Sequence, residues 1–285
     1  MNTVTQSGFL AALARTIIFA ALGVCAFQAD SATILVSKGV IGTGTDTTGL
    51  FGEASADLSG QTYKMMITYD DFSVAFHSSS PTFDKESGPI TGVVSVTVNG
   101  RMFAPNVTQS FGAFLYVNNN GSFSEVTGFQ SGNDAQGQNV YASHDLSSTS
   151  GTVTSPTIGL SSYMAQAGDI GAVTFATGGS EGRASFTATP TAVFIVFPPS
   201  ELIDTLAAYV RGLGLSKGIR TSLLAKLDAA QSYLAAGDVT AATESINAFM
   251  NEVRAQSGKH ITTGQAAEMT SQAQTVVYVI GIVYG

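Results

Sequence analysis

The stretch Val93-Val-Ser-Val-Thr-Val-Asn-Gly-Arg-Met-Phe-Ala104 decides the fold of the first half of this chain. Val94, Val96 and Val98 alternate with Ser95 and Thr97, the period of two that turns one face of a strand inward. Asn99-Gly100 then supplies the two residues that tolerate positive φ, as a tight hairpin turn requires. The same grammar extends in both directions. Ser110–Phe129, read as SFGAFLYVNNNGSFSEVTGF, repeats it around an Asn-Asn-Asn-Gly turn at Asn118–Gly121. Gln61–Asp70, Phe72–His77, Asn139–Leu146, Ile170–Gly179 and Gly182–Phe197 add runs rich in Val, Thr, Phe, Tyr and Ile, punctuated by Gly, Ser, Asn and Asp. Repeated short strands with no helical period predict an antiparallel β-sandwich, jelly-roll-like or immunoglobulin-like, over residues 33–197.

The grammar changes at Pro198-Pro199, which reads as a linker. In Glu201–Gly214, Leu202, Leu206, Tyr209/Val210 and Leu213 share a helical face. Ile219, Leu223, Leu227, Ala230 and Leu234 form a second stripe, closed by Gly237. Asp238 is a natural N-cap for a third segment carrying Ala242, Ile246, Phe249, Met250 and Val253. Thr262-Thr-Gly-Gln265 is a capping box that opens a fourth. Residues 200–285 are therefore expected to form a small four-helix bundle. The apolar end Thr275–Gly285 is shorter than the roughly 20 residues a membrane span needs, and reads as a packed helix end.

Composition sets the outer bounds. The 285 residues carry 12 Lys+Arg against 20 Asp+Glu, a net charge of −8, and only 11% are charged. With a mean hydropathy of +0.24 the chain is not of the charge-rich disordered kind. The acidic balance argues against nucleic acid as a partner, because phosphate neutralisation needs clustered Lys and Arg. Residues 33–199 hold 12 acids and 5 bases, and residues 200–285 hold 7 and 6, so the charge belongs to the first half. A single cysteine excludes a disulfide scaffold and a cysteine-based zinc site. Arg15, the uncharged run Thr16–Ala26 and the small residues that follow describe a secretory signal peptide over residues 1–32. Cleavage is expected between residues 26 and 32, which would remove Cys25 and leave no transmembrane segment in the mature chain.

Two resemblances attach to these residues. Gly39–Asp70 contains the turn Gly44-Thr-Asp-Thr-Thr-Gly-Leu-Phe-Gly52 followed by Leu58-x-Gly-x-x-Tyr63. With the Ile-Thr-Gly hairpin of Ile90–Phe103 and the closing run Ala184–Val196, it resembles a broad class of exported bacterial β-sandwich proteins, many of which end in a PEP-CTERM sorting signal. This chain departs from the class after Pro199, with no Pro-Glu-Pro, no 20-residue apolar helix and no Arg cluster there, so sorting by that route is not expected. In that place, Ser222-Leu-Leu-Ala-Lys-Leu-Asp228, Gly237-Asp238, Ile246-Asn-Ala-Phe249 and Val253-x-Ala-Gln-Ser-Gly-Lys259 resemble the FIMAH-type helical module of secreted bacterial proteins. Neither resemblance brings a catalytic residue with it.

The residues themselves assign no catalytic, cofactor-binding or metal-binding position. No metalloprotease HExxH, Walker loop, EF-hand or nucleophile elbow occurs. His77, flanked by Asp70-Asp71 and Ser78–Ser80, and His144-Asp145 in a Ser-rich loop are the two places where a hydrolytic set is conceivable. A solvated strand end and loop is the plainer reading of both. His260 follows a helix end, where a partly positive imidazole suits the dipole. Calcium is the one ion left open: Asp70-Asp71, or Asp84 with Glu86, offer oxygens but encode no complete set of six to eight ligands. Tyr63, Tyr69, Tyr116, Tyr141 and Tyr163 are candidates for stacking sugars, or for strand packing. Lys217, Arg220, Lys226, Arg254 and Lys259 are candidates for an anionic polysaccharide, or a solvated helix face. The expected function is a non-enzymatic structural or interaction protein of the bacterial cell surface or extracellular matrix, with a surface polysaccharide or another envelope protein as partner. A carbohydrate-binding sheet face and a secreted hydrolase are the alternatives.

Overall fold

The computed structural model describes residues 32–69, 76–88, 93–149, 153, 158, 160–178 and 182–285. The signal segment and Asp70-Asp71 lie outside the described residues. The first half holds strands β1 (Thr33–Asp46), β2 (Ala56–Asp57), β3 (Thr62–Tyr69), β4 (Phe76–Ser80), β5 (Phe83–Gly88), β6 (Val94–Val98) and β7 (Arg101–Phe103). Then come β8 (Val107–Asn119), β9 (Ser124–Asp134), β10 (Asn139–Ser148), β11 (Ser161–Met164), β12 (Ile170–Thr177) and β13 (Ala184–Val196). All belong to one sheet in the order β4-β5-β8-β9-β10-β12-β13-β1-β3-β6-β7, with β2 added to β1 and β11 to β13. Every pairing is antiparallel, as expected. The sandwich is thus a single sheet rolled onto itself. Asn99 and Gly100, at φ 53° and 73°, make the tight turn between β6 and β7.

The roll closes where β9 passes over β1 and β3. Gly128 on β9 has no room for a side chain: a Cβ there would strike the Leu35 and Tyr69 side chains. The inner face of β8, β9 and β10 (Leu115, Val126, Leu146) therefore shares one core with Leu35, Ile67 and Tyr69.

Alternation in β1 and one bulge in β13 let the central strands serve two cores. In β1, Leu35 and Ile41 point into the sandwich, while Ile34 and Val36 point out of it. In β13, Phe186 and Ala188 point in, but beyond the register shift at Lys38/Gly39 it is Val193 and Ile195 that do so. One extra residue reverses the phase of every side chain after it. Val196 is thereby turned to the outside beside Ile34 and Val36.

The helices cover that outside patch. They are α1 (Pro199–Gly212), α2 (Lys217–Ala235), α3 (Val239–Gln256) and α4 (Thr263–Tyr284). Pro199 is buried and opens α1, a position where a missing N–H costs nothing. Asp238 caps α3 by accepting from the Ala241 N–H at 2.9 Å, and Thr262 with Gln265 forms the expected capping box of α4. Leu206, Val210, Leu223, Leu227, Ile246, Phe249, Val276 and Ile280 form a core that includes Ile34, Val36 and Val196 of the sheet. The apolar run at the end of α4 packs there, and no helix among the described residues is long and apolar enough to cross a membrane. Lys64 on β3 completes the seam, donating from Nζ to the carbonyl oxygens of Val283 and Gly285 at 3.0 and 2.9 Å. A cation at a helix C-terminus meets the negative end of its dipole.

Candidate functional site

With one face of β1, β3 and β13 under the helices and the inner face in the core, the outer face of β5, β8, β9 and β10 is the sheet surface on which functional side chains gather. Period-two alternation places Phe114 and Tyr116 of β8, Thr127 and Phe129 of β9, and Tyr141, Ser143 and Asp145 of β10 on this face, half-buried. Phe114 lies directly opposite Phe129 in register, with ring centroids 5.2 Å apart. Tyr141, on the diagonal, continues the row at 6.1 Å from Phe129. Lys85 of β5 reaches over the other end, its Nζ 5.5 Å from the Phe114 centroid, within cation–π range. The result is a ladder of aromatic rings that crosses the strands, with one cation at its end.

Carboxylates flank the rings. Thr127 Oγ1 lies 2.8 Å from Glu125 Oε1 and 3.2 Å from Asp145 Oδ1, so one hydroxyl proton serves two acceptors. Ser147 Oγ donates to the same Asp145 oxygen at 3.3 Å. Each carboxylate offers about four lone-pair positions, and these partners leave most of them to incoming donors. Between Phe114, Phe129, Tyr141 and Asp145 a shallow hollow of about 400 Å³ opens to solvent.

The other candidates separate by burial. Tyr63, Tyr69 and Tyr163 lie in the core, whereas Tyr116 and Tyr141 face out. Tyr63 Oη is 2.9 Å from Ser37 Oγ, and burial raises its pKa well above the usual tyrosine range. His144 is not in a Ser-rich loop: it sits mid-strand on β10, pointing into the core behind the ladder while Asp145 points out. Its two ring nitrogens have no hydrogen-bond partner among the described residues, and burial lowers its pKa to about 3, so the ring is neutral. His144 and Asp145 therefore do not act together.

His77 is better placed. Its Nε2 lies 2.8 Å from Asp84 Oδ1 across the β4–β5 hairpin, and Asp84 Oδ2 accepts from the Ile158 N–H at 3.0 Å. Glu86 lies opposite His77 in register, and its carboxyl is pushed up to about 7, first by burial and then by the Asp84 charge. Ser78–Ser80 follow on β4, but His77 makes its hydrogen bond to Asp84, and no serine within reach of the ring is found among the described residues. Asp84 with both oxygens engaged, and Glu86 beside it, form no cluster of three metal-ligating side chains, nor does any other group among the described residues. In the bundle, Lys226 is tied to Glu252 at 2.6 Å, and His260 is exposed in the turn before α4.

Residues 200–278 match the FIMAH domain family. No curated protein and no solved structure matches the chain. The match covers the four helices almost end to end, so the helical half is a FIMAH-like module fused to a β half that carries the aromatic ladder. Tyr116 and Tyr141 are candidates from the sequence alone, whereas Phe114, Phe129 and Lys85 are not. Alternation gave each residue its face, but only the pairing register shows that they adjoin.

Proposed function

We propose that this chain is an exported, non-enzymatic interaction protein of the bacterial cell surface or extracellular matrix, which presents the outer face of its β half to a partner. The observation that carries the reading is the row Phe114–Phe129–Tyr141, half-exposed on the outer face of the sheet, away from the part the helices cover. Large rings left at the surface in a row, beside unsaturated acceptors, are what recognition surfaces are made of. The signal-peptide pattern of residues 1–32, the likeness of residues 33–197 to PEP-CTERM-associated sandwich proteins and the FIMAH-like module all point to the cell exterior. The test is fractionation of the producing organism with an antibody to the β half. The reading requires a processed chain in the envelope, the matrix or the medium, and an unprocessed chain in the cytoplasm contradicts it.

One observation favours a second reading. His77 and Asp84 are paired as a base and its orienting carboxylate would be in a hydrolytic site, with no nucleophile bonded to the ring among the described residues. Turnover of an ester or glycosidic substrate by the purified chain, abolished in His77→Ala, would establish a hydrolase instead.

A further inference from the structure

Resting on that reading, we infer that the outer sheet face binds a neutral polysaccharide, the sugar rings stacking on Phe114, Phe129 and Tyr141. The argument begins with geometry. Phe114 faces Phe129 directly across β8 and β9, and Tyr141 follows on the diagonal from β10, so the three rings, 5.2 and 6.1 Å apart in turn, form one continuous aromatic patch. Its rings are mutually tilted by 53° and 44°, and each side chain is half-buried on the outer face, so part of each ring meets solvent. Pyranose rings present C–H faces to such surfaces and hydroxyls at their rims.

The rims meet matching chemistry. Asp145 and Glu125 accept without donating, Thr127 and Ser147 keep oxygen lone pairs while their protons serve these carboxylates, and Ser143 adds a further hydroxyl. Every hydroxyl of a sugar is a donor, so carboxylates beside aromatic rings hold a polyol well. Charge then selects among polysaccharides. Two carboxylates face one lysine on this surface, and residues 33–199 carry 12 acids against 5 bases. A polymer of uronic acids or sulfated sugars meets repulsion here, whereas an uncharged hexose polymer does not. The shallow hollow also suits an internal segment of a chain, which lies along a surface, rather than a free monosaccharide, which needs enclosure.

The experiment is native affinity electrophoresis of the mature chain, residues 33–285, through gels containing β-glucan, galactomannan or starch, with alginate and heparin as the anionic arm. At least one neutral polymer is expected to retard the protein and the anionic polymers are not. Phe129→Ala and, independently, Tyr141→Ala should weaken the neutral interaction roughly tenfold or more. Circular dichroism melts of both variants keep a folding defect from being read as lost binding, and the more peripheral Tyr141→Ala serves if Phe129→Ala unfolds. Tighter retardation by the anionic polymers, unchanged binding by a folded variant, or no retardation by any neutral polymer overturns the inference. If the chain is found outside the cell and none of the neutral polymers binds, only the choice of ligand falls. A cytoplasmic chain removes the reading beneath it.

Discussion

Ile34 and Leu35 are neighbours on one strand whose side chains lie in two different hydrophobic cores. Leu35 fills the interior of the rolled sheet, and Ile34 packs among the helices. The sheet and the FIMAH-like module are thus joined through β1 as well as through the chain at Pro198-Pro199.

This shared seam predicts joint unfolding. Val36→Ala, at a fully buried position in the helical core, should cost about 2 kcal/mol. The helical signal at 222 nm (about that wavelength for any α-helix) and the near-ultraviolet signal to which the buried sheet tyrosines Tyr63, Tyr69 and Tyr163 contribute should shift together. Two separate transitions, with only the helical one moved, would show that the module is coupled weakly or not at all.

Gly128 marks a close approach between β9 and the side chains of β1 and β3, strands it does not pair with. Gly128→Ala should lower stability by about 1–3 kcal/mol, because the added methyl meets Leu35 and Tyr69. Gly264→Ala is the control, since its Cβ would meet open space in the first turn of α4. It should be neutral or stabilising by up to about 1 kcal/mol. Equal effects in a denaturant titration would contradict the packing described for β9.

Asp46 organises the turn that follows β1. Its Oδ1 accepts from the Gly49 and Leu50 N–H groups at 2.8 Å each, and its Oδ2 accepts from Phe51 at 2.6 Å. Asp46→Ala leaves three amides without this partner and loosens the buried Phe51 ring, so a loss of about 3 kcal/mol is expected. A variant within about 0.5 kcal/mol of the parent would show that the carboxylate is not what orders the turn.

Stability should depend on pH from both sides. Glu86 is raised from 4.5 to about 7 in the folded chain, so the folded state holds its proton more tightly. That contribution is complete below pH 4.5 and is lost as pH rises through 7. His144 is lowered from 6.5 to about 3, which works in the opposite sense. Its contribution is complete above pH 6.5 and is lost as pH falls toward 3. Glu86→Gln should flatten the alkaline decline and His144→Leu the acid one, read as melting temperature against pH. Unchanged profiles in both variants would place the pH dependence elsewhere.

Much of this architecture was legible in local signals. The Asn99-Gly100 turn, the β alternation, the Asp238 cap and the Thr262–Gln265 capping box each declare themselves within a few residues. What was not legible depends on register. The bulge that turns Val196 toward the helices comes from pairing between strands about 150 residues apart in sequence, and no local period encodes it. The run Thr33–Val36 reads simply as apolar, since a strand buried on both faces has lost the alternation that would assign its sides. The ladder was hidden for the same reason: Phe114, Phe129 and Tyr141 belong to three strands, and their adjacency is a fact of the sheet. His144 misled because Ser143, Asp145 and Ser147 around it face out, giving the segment the composition of a loop.

The central proposal is that this chain is exported and that the outer face of its β half holds it to its partner. It is tested most directly by replacing the chromosomal copy in the producing organism with the Phe129→Ala, Tyr141→Ala double variant and fractionating the culture. The account predicts normal export and processing, with the variant shifted from the envelope or matrix fraction into the medium. A folded variant distributed as the parent is would contradict it.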